Sequence, residues 1–375
     1  MYRMKHPGFM LLVLVLAFLT ATLTIAGGYL DDWEGQPPSG AEKLAALLPG
    51  LDETNGVSGL DLRALDLAAV PLDVLANTCY DTRTLWPEAT ALPDGFTPQS
   101  WLEDAKSGGA ALDALHRAGI TGEGVSIAII DKPMLAGHDE FAGSMTYRET
   151  DMPGDFRRLH FHGISCASLI AGRSCGVAPG ASLYYFAVPD NGQNAANYCR
   201  AMDELIAFNR TLPDGKKIRL ASISDAIGED AWERWRKVLE QANREGIAVN
   251  YSNGLDAQWQ IAYGGCPPNG DSGNADDYVP EMLAKGARIP KSITLIPSGY
   301  RTTAANEGDT VYRFWPTGGF SWAIAYMSGL CALAWQIDPD IAYDDIIDRL
   351  CETKAYNRYG YGFIDPEAFF NSIEK

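Results

Sequence analysis

The sequence predicts an α/β fold: a doubly wound, mostly parallel sheet flanked by helices, with a small Leu-rich N-terminal extension. Three observations carry that expectation. From about residue 100 onward, short apolar runs alternate with amphipathic stretches long enough to be crossover helices. The runs are almost unbroken rather than alternating polar with apolar, as strands buried on both faces are. The chain also has the material for a core: 375 residues, 46% hydrophobic and 21% charged, which excludes a disordered or collagen-like protein.

The first element reads as an address. Arg3, Lys5 and His6 precede an uncharged stretch from Phe9 to Gly28, and the first acid is Asp31. Phe9 to Leu19 has the length of a signal-peptide core, and the residues through Ala26 extend it nearly to membrane-spanning length. Residues 1–28 are therefore expected to be a signal peptide or an N-terminal membrane anchor. Either one places the rest of the chain outside the cytoplasm, secreted or membrane-anchored.

Residues 29–95 form the extension. Leu60, Leu65 and Val70 recur every five residues, as do Leu62, Leu67 and Leu72. Neither the helical period of about 3.6 nor the strand period of about 2 produces that spacing, whereas a tight solenoid coil does. Two or three such units cannot bury a core alone, so the piece should pack on the main domain. A Leu/Asp-rich linker with coincidental spacing is the other reading. Pro87, Pro93 and Pro98 mark a loop-rich approach to the domain spanning 96–375.

That domain opens with a helix over Leu112–Ala118, ended by Gly119. Strands are expected at Val125–Ile130, Leu183–Val188, Ile218–Ser224, Gly246–Tyr251 and Ile293–Pro297, with crossover helices at Ala195–Phe208 and Ala231–Arg244. In such sheets ligands and catalytic groups gather at the carboxyl ends of the strands.

Charge and cysteine content narrow the function. Lys+Arg 30 against Asp+Glu 48 gives −18, which argues against nucleic acid or an anionic membrane surface as partner. Any membrane contact would come through the N-terminal anchor. Seven cysteines, an odd number, contain no C-x-x-C, so neither a zinc knuckle nor a thioredoxin-type motif is supported. Cys166 and Cys331 sit in apolar, small-residue helical patterns and read as core. One or two disulfides elsewhere are compatible with an external location, with no pairing assigned.

Three far-separated pieces carry candidate chemistry. Asp131 ends the first apolar run, where a carboxylate is held rigidly; alone, it reads equally as a turn or cap residue. His162 opens the small-residue helix His162-Gly163-Ile164-Ser165-Cys166-Ala167-Ser168, followed by Gly176-Val177-Ala178-Pro179. Alone, it reads as a structural histidine, and a metal site with His160 lacks a third ligand. Ser321 follows Gly318-Gly319-Phe320 and opens a long apolar helix running to about Trp335, its hydroxyl at the positive end of the macrodipole. Its bland reading is an N-cap. It is not the Gly-x-Ser-x-Gly elbow of an α/β-hydrolase, because position 323 is Ala.

Together, in this order and these contexts, the pieces resemble the subtilase family of serine peptidases over roughly residues 100–375. Asn253 in Gly246-Ile247-Ala248-Val249-Asn250-Tyr251-Ser252-Asn253-Gly254 falls at the family's oxyanion position. The resemblance implies a subtilisin-like fold and a serine endopeptidase acting on protein or peptide substrates through Asp131, His162 and Ser321. Asn253 and the Ser321 backbone N–H would form the oxyanion hole. It further implies that Ser224-Asp225-Ala226 is the strand edge along which an extended substrate pairs. No cofactor is implied; the acidic loop Asp271–Asp277 would suit calcium, but solvated turn chemistry accounts for it equally.

The chain departs from the family at several positions. Lys132 follows the Asp, Ser165 replaces a second His, Phe320 precedes the Ser in place of Thr, Ala325 replaces a Pro, Ser252 replaces a Gly, and Asp225 replaces an apolar residue. A Lys132 ammonium beside Asp131 would favour its ionised form. The Asp225 change points to a basic or polar side-chain preference. The changes around Ser321 motivate the competing reading, a subtilase-like scaffold that has lost turnover and holds a peptide or protein partner.

Overall fold

The computed structural model describes residues 56–191, 194–254, 261–265, 276 and 292–373. The leader, residues 29–55 of the extension and, apart from Asp276, the acidic loop Asp271–Asp277 lie outside the described residues.

Residues 57–70 descend as a staircase. The N–H groups of Leu60, Leu65 and Val70 donate to the C=O groups of Val57, Leu62 and Leu67 at 3.1, 2.9 and 2.9 Å, so one tight turn recurs every five residues. The steps are braced from the side: Leu62 N–H donates to Leu85 O (2.8 Å), Leu85 N–H to Leu60 O (2.9 Å) and Leu67 N–H to Ala91 O (2.8 Å). Leu62 and Leu67 are buried, while Leu60, Leu65, Val70 and Leu72 pack half-buried on the same cluster. The chain continues through α1 (Leu72–Ala76), β1 (Tyr80–Asp81) and α2 (Pro98–Asp104).

The main sheet begins after α3 (Ala110–Arg117) with β2 (Ser126–Asp131), all six residues of which are buried. There follow β3 (Met145–Glu149), α4 (Phe161–Ala171), β4 (Ser182–Ala187), α5 (Asn194–Thr211), β5 (Ile218–Ile223), α6 (Trp232–Arg244) and β6 (Ala248–Tyr251). These strands form one five-stranded sheet in the order β3-β4-β2-β5-β6, parallel throughout. Alternation in β2 divides the core: Ile127 and Ile129 face α4, while Ala128 and Ile130 face α5 and α6, where Tyr198, Leu205 and Trp235 lie. Asp131 is the last residue of its strand, one position past the end of the run Val125–Ile130 expected from sequence.

Topology explains where a site forms. From β2 the chain builds β3 and β4 on one side, then crosses to β5 and β6 on the other. The carboxyl end of β2 is thus the point at which the crossovers part, and a crevice opens there.

Beyond it come β7 (Ile261–Gly265), β8 (Thr294–Ser298), β9 (Arg301–Ala304), β10 (Tyr312–Trp315), α7 (Phe320–Ile337), α8 (Tyr343–Glu352), β11 (Ala355–Tyr356), β12 (Gly362–Phe363) and α9 (Pro366–Ile373). β7, β8 and β12 pair in parallel, with β11 antiparallel at the edge. By length and composition α7 could cross a membrane, at mean hydropathy 1.2. It is nevertheless 78% buried and belongs to the core beneath the sheet.

The extension shares a core with the main domain. β1 pairs antiparallel with β10, setting Tyr80 opposite Phe314, and the two rings stack at 4.9 Å. Leu62, Leu67, Leu75, Phe96, Trp101 and Phe314 close one cluster. No disulfide joins the six described cysteines, and Cys166 and Cys331 are fully buried; Cys266 lies outside the described residues. Truncating Leu67 or Phe314 to Ala should each cost about 2–5 kcal/mol in urea unfolding, the range for emptying a packed core site. A loss below about 0.5 kcal/mol would mean that the extension is not part of the folded unit.

Candidate active site

Three element ends meet at the crevice. Asp131 ends β2, His162 is the second residue of α4, and Ser321 is the second residue of α7. The α7 N-cap is Gly319, so the Ser321 hydroxyl is free of the capping role that sequence left open. His162 Nδ1 lies 2.8 and 2.9 Å from the two Asp131 carboxylate oxygens, and its Nε2 lies 2.9 Å from Ser321 Oγ. Asp131 is 1% and His162 6% exposed. The carboxylate can only accept, so Nδ1 carries the proton and Nε2 is the nitrogen turned to the hydroxyl.

Local sequence makes the approach close enough. A Cβ on Gly163 would lie 1.9 Å from the Tyr185 hydroxyl and 2.6 Å from Lys132 O, so only glycine lets α4 sit down on the ends of β2 and β4. Gly318 is equally constrained, since a Cβ there would lie 2.3 Å from Gly299 N. Gly319 has open space at that position. Farther along α7, Ser328 Oγ accepts from Asn250 Nδ2 and lies 3.0 Å from Ser222 Oγ, while the Tyr343 hydroxyl donates to Asn250. This buried network pins the helix to β5 and β6 and so fixes where its first turn lies.

Ser321 has two acceptors for one proton. Its Oγ is 3.0 Å from Ser224 O as well as 2.9 Å from His162 Nε2, and Ser224 Oγ donates back to Ser321 O at 3.2 Å. Burial works against an imidazolium at His162, but the adjoining Asp131 charge outweighs it and raises the imidazole well above its ordinary value. While the ring is protonated, Ser321 gives its hydrogen to Ser224; once the ring is neutral, Nε2 can take it. His160, the α4 N-cap, accepts from His162 N–H through Nδ1 at 3.2 Å. Burial, then the neighbouring His162 charge, lowers its pKa and keeps it neutral for that role.

The other sequence-selected residues fall around this core. Asn253, two residues beyond β6, accepts from Ile227 N–H through Oδ1 at 2.7 Å, which leaves its NH2 on the other branch of the amide. Ser224 is buried, Asp225 half-buried and Ala226 exposed; Asp225 O accepts from Ser252 N–H at 3.1 Å. The Lys132 ammonium lies 3.9 Å from Asp190, and the bond from this residue to Asp131 comes instead from its backbone N–H, at 2.7 Å. Ser165 Oγ meets Thr303 Oγ1 at 3.0 Å, and Thr303 also holds the Trp315 indole at 2.9 Å.

An aromatic wall was missed from sequence. Trp322 meets the His162 ring edge-on at 6.0 Å, Trp315 packs on Trp322, and Phe161 lies between His160 and Trp315. The signal was present in the aromatic residues next to both His162 and Ser321. For metal ligation, Asp131, His162 and Cys166 offer ligand atoms within 4.8 Å of one another, but His162 Nδ1 is already committed to Asp131. The chemistry this arrangement supports is proton transfer from a hydroxyl through an imidazole steadied by a carboxylate.

Comparison with known proteins bears on the family. The sequence pattern of the Subtilase family matches residues 122–362. An extracellular serine proteinase of Thermus sp. (strain Rt41A) is 27% identical over 236 residues, 56% of this chain and 56% of that protein. The chain thus spans little more than half the length of that relative. Serine protease AprX of Bacillus subtilis (strain 168) is 24% identical over 351 residues, 79% of this chain and 76% of the other. Among solved structures, the one titled for subtilase cytotoxin SubAB assembly superposes with TM-score 0.52 at 17% identity, covering 73% of this chain and 96% of that one.

The raised imidazole gives a direct test by NMR. The His162 ring should titrate with a midpoint above about 6.5, the ordinary histidine value. Asp131→Asn should bring that midpoint down. A wild-type midpoint at or below the ordinary value would contradict the arrangement.

Proposed function

The chain belongs to the subtilase family, and on that premise we propose that it is a serine endopeptidase working through Asp131, His162 and Ser321. The observation that carries this reading is the unbroken line of hydrogen bonds from Asp131 through His162 to Ser321. Ser321 Oγ attacks the peptide carbonyl as His162 Nε2 takes its proton. Asp131 holds the ring in the tautomer that can do so and stabilises the imidazolium that forms. The tetrahedral oxyanion is met by the Asn253 amide and the Ser321 N–H, which belongs to the first turn of α7 and has no intrahelical acceptor. His162 returns the proton to the leaving amine, and water then releases the acyl group by the same route. The acyl side of the substrate lies along Ser224-Asp225-Ala226, which follows β5 and bends at Asp225, where the N–H turns back to Ile223 O at 2.8 Å.

The peptidase domain spans 96–375, with residues 29–95 as an N-terminal extension whose described part, from residue 56 on, shares its core. The protein is secreted or held outside the cytoplasm by an anchor, with residues 1–28 serving as the signal or that anchor; extracellular location in the Thermus relative's name supports the secreted form.

A fluorophosphonate probe separates the enzyme from a binding scaffold. Folded wild type should be labelled on Ser321, and Ser321→Ala should not. Asp131→Asn should lower kcat on the order of 10⁴-fold, and Asn253→Ala by about 10²–10³-fold. No labelling of folded protein, with peptide binding retained, would favour the scaffold.

A further inference from the structure

We infer that Asp225 makes this site select substrates with a basic side chain, Arg or Lys, on the acyl side of the scissile bond. The inference rests on the peptidase reading above and adds the chemistry of the side chain that the cleft takes.

The position follows from the two halves of the reaction. The leaving amine must receive its proton from His162 Nε2, so the amine side of a bound peptide lies against the imidazole and its aromatic wall. The acyl side must run from Ser321 Oγ in the other direction. Ser224 is bonded to Ser321 at 3.0 and 3.2 Å, and the next residue, Asp225, has its carboxylate close enough to the site to feel the His162 charge.

The Asp225 carboxylate is held but not used up. Ala226 N–H donates to Oδ1 at 2.8 Å and the Tyr198 hydroxyl donates to Oδ2 at 3.0 Å. A carboxylate offers about four acceptor positions, so each oxygen keeps capacity, in the paired geometry that a guanidinium fork matches. The two existing bonds fix its rotamer, so little freedom is left to lose on binding.

Its charge is also short of a partner. The neighbouring ammonium, Lys132, lies 3.9 Å from Asp190 and over the Tyr198 ring, and among the described residues no ion pair reaches Asp225. Burial pushes the Asp225 carboxyl above the ordinary carboxylate value, while its two hydrogen bonds and the more distant Lys132 and His162 charges pull the other way. A carboxylate partly stripped of water and lacking a contact cation gains more from an incoming ammonium or guanidinium than one in bulk water does. A Glu or Asp side chain brought to the same carboxylate would meet like charge and be repelled.

Matched fluorogenic peptides test this. Arg, norleucine or Glu is placed in turn at each of the four positions preceding the cleavage point, and kcat/KM is compared as a ratio within each enzyme. At one position wild type should prefer Arg over norleucine by roughly 10–100-fold, the range for one charge-assisted contact, and should discriminate further against Glu. Asp225→Asn, which keeps an acceptor for Ala226 N–H, should bring the Arg-to-norleucine ratio near one. Asp225→Lys should reverse the Arg-to-Glu order. Fluorophosphonate labelling of the same preparations reports separately on Ser321. Labelled enzyme without an Arg preference at any position, or with one that survives Asp225→Asn, overturns the selectivity and leaves the peptidase reading standing. Folded enzyme that neither labels nor cleaves overturns both.

Discussion

Everything in the crevice depends on one imidazole held in two directions at once. His162 must reach a carboxylate on a central strand with one nitrogen and a hydroxyl on a separate helix with the other, at about 2.9 Å each way. Such distances leave little slack. They require α4 to rest directly on the strand ends, which the missing side chain of Gly163 permits, and α7 to be fixed in register, which the Ser222, Asn250, Ser328 and Tyr343 network secures. Burial is the other half of the constraint, because a carboxylate steadies an imidazolium far better away from water.

The extension bears on the same constraint from outside. It pairs with β10, the last strand before the loop that delivers Ser321, and Thr302 of β9 is tied to Leu102 in the last turn of α2 and to Ala105 just past it. The hairpin leading to the nucleophile is thus clamped between α4, through Ser165 and Ser168, and the cluster that the extension closes on Phe314. Loosening the clamp would free the segment Pro316–Gly319, where close backbone contacts already leave no room at Gly318.

Much of the fold was legible because burial on both faces writes an unbroken apolar run, as in β2, β4 and β5. β3 left no such run, since it is an edge strand with half-exposed residues. The β9–β10 hairpin hid for the opposite reason: Arg301, Thr302 and Thr303 are buried polar residues that hydrogen-bond to partners far away in sequence. Strands as short as β1, β11 and β12 carry no period at all. The five-residue spacing was visible in Leu60 to Leu72, but its docking on Phe314 is a tertiary fact. Asp131, His162 and Ser321 were individually ambiguous, and only their contexts in order made them stand out. The Lys132 side chain shows the limit of neighbour-based electrostatics: adjacent in sequence to Asp131, its ammonium lies by Asp190.

A mutant cycle on His162 and Ser321 tests the central claim most directly, because groups acting as one relay lose their effects together. Single-turnover cleavage of one peptide substrate would be measured for His162→Ala, Ser321→Ala and the double variant. The account predicts nearly equal residual rates in all three, since removing either group already ends the proton transfer. Losses that multiply in the double variant would show that the two side chains act independently, and the imidazole would not be the link between carboxylate and hydroxyl.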